Sequence, residues 1–79
     1  MDLQDVIDEL NDLEEDSSVP KNVKACLSQL IVELKGDKDL SLKVNKCLSQ
    51  LDYIGEDVNI PPFVRTRIFS VASMLEAIN

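Results

Sequence analysis

Histidine and tryptophan are absent from the chain, tyrosine occurs once, and phenylalanine, cysteine and glycine occur twice each. Without histidine there is no imidazole to act as acid, base or metal ligand. Two cysteines cannot make a four-thiolate zinc site, and no mixed site with histidine is available. A cysteine nucleophile needs a neighbouring base or a helix N-terminus to form its thiolate, whereas Cys26 and Cys47 both fall mid-helix. With Gly36 and Gly55 as the only glycines, no phosphate-cradling loop exists. Asp37-Lys38-Asp39-Leu40-Ser41 opens like a calcium loop, but Leu42 stands where the glycine is needed and Leu48 where the bidentate glutamate is needed. Nucleophile, base and oxyanion donors are thus all lacking, and the expectation is a non-enzyme with no cofactor and no metal. No apolar run approaches the roughly 20 residues of a membrane span, and no charged-then-apolar leader opens the chain, so a soluble, intracellular protein away from membranes is expected.

Base is also missing locally. Residues 1–19 carry eight acids and no lysine or arginine, while residues 20–79 carry eight bases against seven acids. The net charge of −7 therefore sits on the first segment. Direct, sequence-independent nucleic-acid binding is disfavoured, because it relies on cations that neutralise phosphates.

What is present is a repeat at an offset of 41 residues. Pro20 falls on Pro61, and Val19, Val23, Leu27, Leu30 and Leu34 fall on Ile60, Val64, Ile68, Val71 and Leu75. Upstream, Leu3, Val6, Ile7, Leu10 and Leu13 fall on Val44, Cys47, Leu48, Leu51 and Ile54, and Glu15-Asp16 falls on Glu56-Asp57. Apolar residues recur at the i, i+3, i+4, i+7 spacing of a helix that buries one stripe. Each half reads as helix, acidic turn, proline, helix. Helices are predicted over about 2–14, 20–35, 39–54 and 61–78. Asp2 is a candidate N-cap for the first, Ser17 or Ser18 for the second, and Asn59 for the fourth. Capping by Asn59 would let Val58 and Phe63 form a hydrophobic staple. Gly36 suits the left-handed position that ends a helix, and Gly55 is the stop of the third helix.

Short links force successive helices antiparallel. The predicted fold is all-α, an up-down-up-down four-helix bundle made of two repeated hairpins in one domain, 1–79. Stacked hairpins of the HEAT type share the repeat length, but two of them leave both ends of their core open. With 44% hydrophobic residues and almost no aromatics, the core must be aliphatic. Both cysteines belong on or beside the apolar stripes as small hydrophobes, and a disulfide between them is conceivable if the second and third helices are neighbours.

The outward faces are the candidate functional surfaces. On the fourth helix Thr66, Phe69, Ser70, Ser73 and Ala77 fall opposite the core stripe; on the second helix Ala25, Ser28, Gln29 and Val32 do so. Neither set is charged, and small residues around one aromatic suit close packing against another protein. The partner expected is a second protein or a second copy of the chain, the latter giving a homodimer. Asp5, Asp8, Asp12 and Glu15 line the outside of the first helix as an acidic face, either solubilising or docking a basic partner. On the third helix Lys43, Lys46 and Gln50 read as an ordinary solvated face. An alternative role, association with a ribonucleoprotein or nucleic-acid machine, would draw on Lys21, Lys24, Lys43, Lys46, Arg65 and Arg67 sharing one side. Asp57, Asn59 and Arg65 gather near the fourth helix start, as capping and a local ion pair would require.

Val19-Pro20-Lys21-Asn22-Val23-Lys24 resembles a signature of the small archaeal proteins grouped as uncharacterised protein family 0147. Leu51-Asp52, Ile54, Asp57, Asn59-Ile60-Pro61, Arg65-Thr66, Ile68, Val71, Ser73 and Leu75-Glu76 resemble its second signature, so the likeness spans nearly the whole chain. Gly55 and Val58 depart from the serine and proline of that pattern. The resemblance implies an archaeal, cytoplasmic four-helix protein. It implies no activity and carries over no catalytic residue.

Overall fold

A computed structural model describes residues 2–78. The chain folds into α1 (Leu3–Glu15), α2 (Lys21–Lys35), α3 (Leu40–Gly55) and α4 (Pro62–Ile78), each within about two residues of its expected bounds. The helices run up-down-up-down in a rod of 32 × 19 × 19 Å. α1 packs on α2, α2 on α3, α3 on α4 and α4 back on α1, whereas the diagonal pairs make no close backbone approach. The α4–α1 seam closes the ring, which separates a bundle from a stack of hairpins. Among the described residues no helix is long and apolar enough to cross a membrane.

The core repeats with the sequence. Val6 and Cys47, Leu10 and Leu51, Leu13 and Ile54, Val19 and Ile60 are all buried, as are Val23 and Val64, Leu27 and Ile68, Leu30 and Val71, Leu34 and Leu75. Burying such aliphatic side chains contributes roughly 1.5–3 kcal/mol each and is the main force holding the helices together.

The two proline turns share three hydrogen bonds at equivalent positions. Asp16 accepts the Ser18 N–H at 2.9 Å through its carboxylate and the Val19 N–H at 3.1 Å through its carbonyl. Asp57 accepts the Asn59 N–H at 2.9 Å and the Ile60 N–H at 3.3 Å in the same way. The Pro20 carbonyl then takes the Lys24 N–H at 3.0 Å, and the Pro61 carbonyl takes the Arg65 N–H at 3.1 Å.

Asp2 caps α1 as expected, in a capping box with Asp5. The other predicted caps are corrected. Pro20 itself occupies the α2 cap position, with no side-chain cap, because Ser18 is engaged by Asp16. α4 likewise starts from the Pro61 carbonyl, not from Asn59, and Val58 is 87% exposed, so the staple does not form. Neither glycine is left-handed. Gly36 has φ −73° and ψ 176°. Gly55 is the last residue of α3, and a Cβ there would come within 3.0 Å of the Phe69 ring. Its missing side chain makes room for an aromatic on α4.

Candidate functional site

Periodicity places Ala25, Gln29 and Val32 on the surface of α2, with Ser28 half-buried, and Thr66, Phe69, Ser70, Ser73 and Ala77 on the surface of α4. The structure does not join these two faces. α2 and α4 are diagonal, so the strips point away from each other on opposite sides of the rod. Phe69 is not a free aromatic either: it is 52% exposed and lays one ring edge over Gly55. The acidic face is present on α1, with Asp5, Asp8, Asp12 and Glu15 all exposed and without an ion-pair partner among the described residues.

The cations do not form one basic side. Lys43, expected on the surface, is 9% exposed, and its ammonium donates to the carbonyls of Leu34 at 3.1 Å and Gly36 at 3.0 Å. It closes the C-terminal end of α2, where carbonyls lack helical partners and the dipole favours positive charge. The long stem packs while the head finds oxygen, which is why a lysine occupies a core-edge position. Arg65 also serves backbone: it donates to the carbonyls of Gly55 at 3.0 Å and Asp57 at 2.8 Å, not to a carboxylate. Lys46 pairs with Glu33 at 3.0 Å and Lys38 with the same oxygen at 3.5 Å. The Lys46 hydrogen bond is the chief cause that holds the Glu33 carboxyl below its ordinary range.

The two seams between hairpins differ most. At the α4–α1 seam, Arg67 on α4 donates to Glu9 on α1 at 2.8 Å and lies 3.9 Å from the Asp16 carboxylate, all three side chains being about one-third exposed. The Ser18 hydroxyl and N–H first, then Arg67, hold the Asp16 carboxyl low. At the α2–α3 seam the repeat places Cys26, Gln50 and Asp57 in those three positions. The Cys26 thiol reaches only to 3.8 Å from the Gln50 side-chain oxygen. Two adjoining hollows follow, of about 250 Å³ between Cys26, Glu33, Lys46 and Gln50, and of about 150 Å³ between Cys26, Gln50, Tyr53 and Asp57. Both lie along the α2–α3 groove and meet at the Cys26–Gln50 contact, with Leu30 lining the larger and Val23 and Ile54 the smaller.

Both thiols are free. Burial raises the Cys26 pKa, and burial with the nearby Glu33 charge pushes that of Cys47 up to about 11. Neither favours a thiolate. Among the described residues no group of three or more metal-ligating side chains comes together.

Sequence reading missed the groove and its wall at Tyr53, which is 78% exposed. The signal was available in the repeat: a cysteine and a glutamine replace an arginine and a glutamate at paired positions.

Comparison with known proteins gives a consistent result. The sequence profile described as Uncharacterised protein family (UPF0147) matches residues 1–78. A UPF0147 protein of Archaeoglobus fulgidus is 34% identical over 77 residues, spanning 98% of this chain and 88% of that protein. A UPF0147 protein of Methanosarcina acetivorans is 33% identical over 70 residues, spanning 87% and 72%. The crystal structure of a UPF0147 protein from Thermoplasma acidophilum aligns with a TM-score of 0.93 at 32% identity, covering 96% of this chain and 91% of that one.

Proposed function

The chain belongs to uncharacterised protein family UPF0147, and from that premise we propose that it is a small cytoplasmic interaction module that binds other proteins and performs no chemistry of its own. The observation that carries this reading is the charge-free strip of α4: Thr66, Phe69, Ser70, Ser73 and Ala77 are all exposed in a chain whose residues are 29% charged. Small side chains let a partner helix approach closely, and Phe69 supplies an anchor with part of its ring already held against Gly55. The α2 strip lies at repeat-equivalent positions on the far side, so the module has two back-to-back faces, the arrangement an adaptor needs. The raised thiol pKa values support the non-enzymatic reading. The engagement of Lys43, Lys46, Arg65 and Arg67 in internal contacts weighs against direct nucleic-acid binding, and with it against the ribonucleoprotein alternative.

Cross-linking in native lysate, read by mass spectrometry, tests the proposal. Phe69→Asp and the milder Ser73→Glu are expected to remove the cross-linked species while the helical circular dichroism signal persists. A strictly monomeric wild type with no enriched partner contradicts it.

A further inference from the structure

We infer that the α2–α3 groove is a seat for an arginine side chain presented by a partner protein. The duplicated bundle contains the occupied version of the same seat. Its internal symmetry carries α2–α3 onto α4–α1, and at the second seam Arg67 fills the space with its guanidinium against Glu9 and Asp16. At the first seam the residue in the place of Arg67 is Cys26, several heavy atoms shorter, while acceptors remain in the places of Glu9 and Asp16. Gln50 offers a side-chain carbonyl oxygen that, among the described residues, accepts only the thiol at 3.8 Å. Asp57 keeps one carboxylate oxygen on the Asn59 N–H at 2.9 Å, as Asp16 does on the Ser18 N–H at 2.9 Å, leaving the other oxygen for a ligand. Gln50 and Asp57 both line the hollow of about 150 Å³, together with Cys26 and Tyr53.

The chemistry of the walls selects a guanidinium. A planar fork of five N–H donors suits an amide oxygen beside a carboxylate, and its flat face stacks on an aromatic ring. Tyr53 supplies that ring at the edge of the groove. The lining holds Glu33, Asp57 and, beyond Tyr53, Glu56; its one cation, Lys46, is already bound to Glu33. Lys43 and Arg65 cap helix ends and Arg67 seals the opposite seam, so none of these three fills the seat. The inference rests on the proposed interaction role for the source of that arginine, and a small-molecule probe separates the two.

The test is a titration of the whole protein with N-acetylarginine amide, followed by heteronuclear NMR, with the uncharged isostere N-acetylcitrulline amide as control. Saturable amide shifts are expected at Cys26, Gln50, Tyr53 and Asp57, with none from citrulline. Asp57→Asn, which keeps an acceptor for the Asn59 N–H, is expected to weaken the response about fivefold. Cys26→Arg places a guanidinium in the seat from within and is expected to abolish it. Equal shifts with citrulline, shifts confined to Asp5, Asp8 and Asp12, or an undiminished response in Asp57→Asn or in a folded Cys26→Arg would overturn the assignment. No response to the probe, with cross-linking through Phe69 intact, sinks the groove alone; the reverse pattern sinks the α4 face alone.

Discussion

The α4–α1 and α2–α3 seams occupy equivalent places in one duplicated bundle, yet one is sealed and the other is hollow. Eight repeat-equivalent pairs are buried in both halves, and the proline turns share three hydrogen bonds. Residues just outside the stripe differ: Arg67 and Glu9 on one side, Cys26 and Gln50 on the other, each pair beside a repeat-equivalent aspartate. Duplication thus provides an internal control. What both seams share is what the fold requires, and what only one has is free to serve another purpose.

The largest expected effect tests the shared part. Leu27→Ala and Ile68→Ala truncate repeat-equivalent side chains, each 0% exposed, and should each cost about 2–5 kcal/mol in urea unfolding. Losses that differ by more than about 2 kcal/mol would show that the halves are not energetically equivalent. Next comes a feature of the α2–α3 side alone. Lys43→Met keeps the stem but leaves the Leu34 and Gly36 carbonyls without their charged donor, and should cost roughly 1–3 kcal/mol. An unchanged midpoint would mean that water replaces the ammonium without penalty.

The smallest effects are those of pH. Asp16 at the sealed seam and Glu33 at the hollow one have carboxyl pKa values held below their ordinary range when folded. Their stabilisation is present above the unfolded values, roughly pH 4, and is lost as pH falls through the lower folded values. The decline should be shallow, because both act near solvent. On the alkaline side the sign reverses. The Cys47 pKa is raised, so its contribution is present below the ordinary thiol value and fades as pH climbs towards about 11. A disulfide reagent at mild alkaline pH should therefore modify half-buried Cys26 well before Cys47. Equal rates would place both thiols at the same depth.

Most of the architecture was legible in the sequence because periodicity reports directly on burial. Leu10, Leu30, Leu51 and Val71 all face the core, as their spacing requires. Helix ends were less legible. Gly36 read as a left-handed terminator and Gly55 as a stop, yet neither has positive φ; their own carbonyls are taken by Lys43 and Arg65, whose reach across the bundle no local pattern encodes. Lys43 read as surface because charge alone ignores where a long stem can end. The candidate surfaces were legible as faces and not as neighbours. The strips of α2 and α4 separate only once closure of the ring puts those helices on a diagonal. The groove follows from comparing Cys26 and Gln50 with Arg67 and Glu9, a difference that carries meaning only after the seams are known to correspond.

A double-mutant cycle across the hollow seam is the most direct measure of that correspondence. Cys26→Arg and Gln50→Glu, made singly and together and unfolded in urea, should show a favourable coupling of about 0.5–1 kcal/mol, matching the cycle run on Arg67→Ala and Glu9→Ala. Coupling at Arg67–Glu9 with none between the introduced arginine and glutamate would contradict the claim that the two seams are the same site, filled once and left open once.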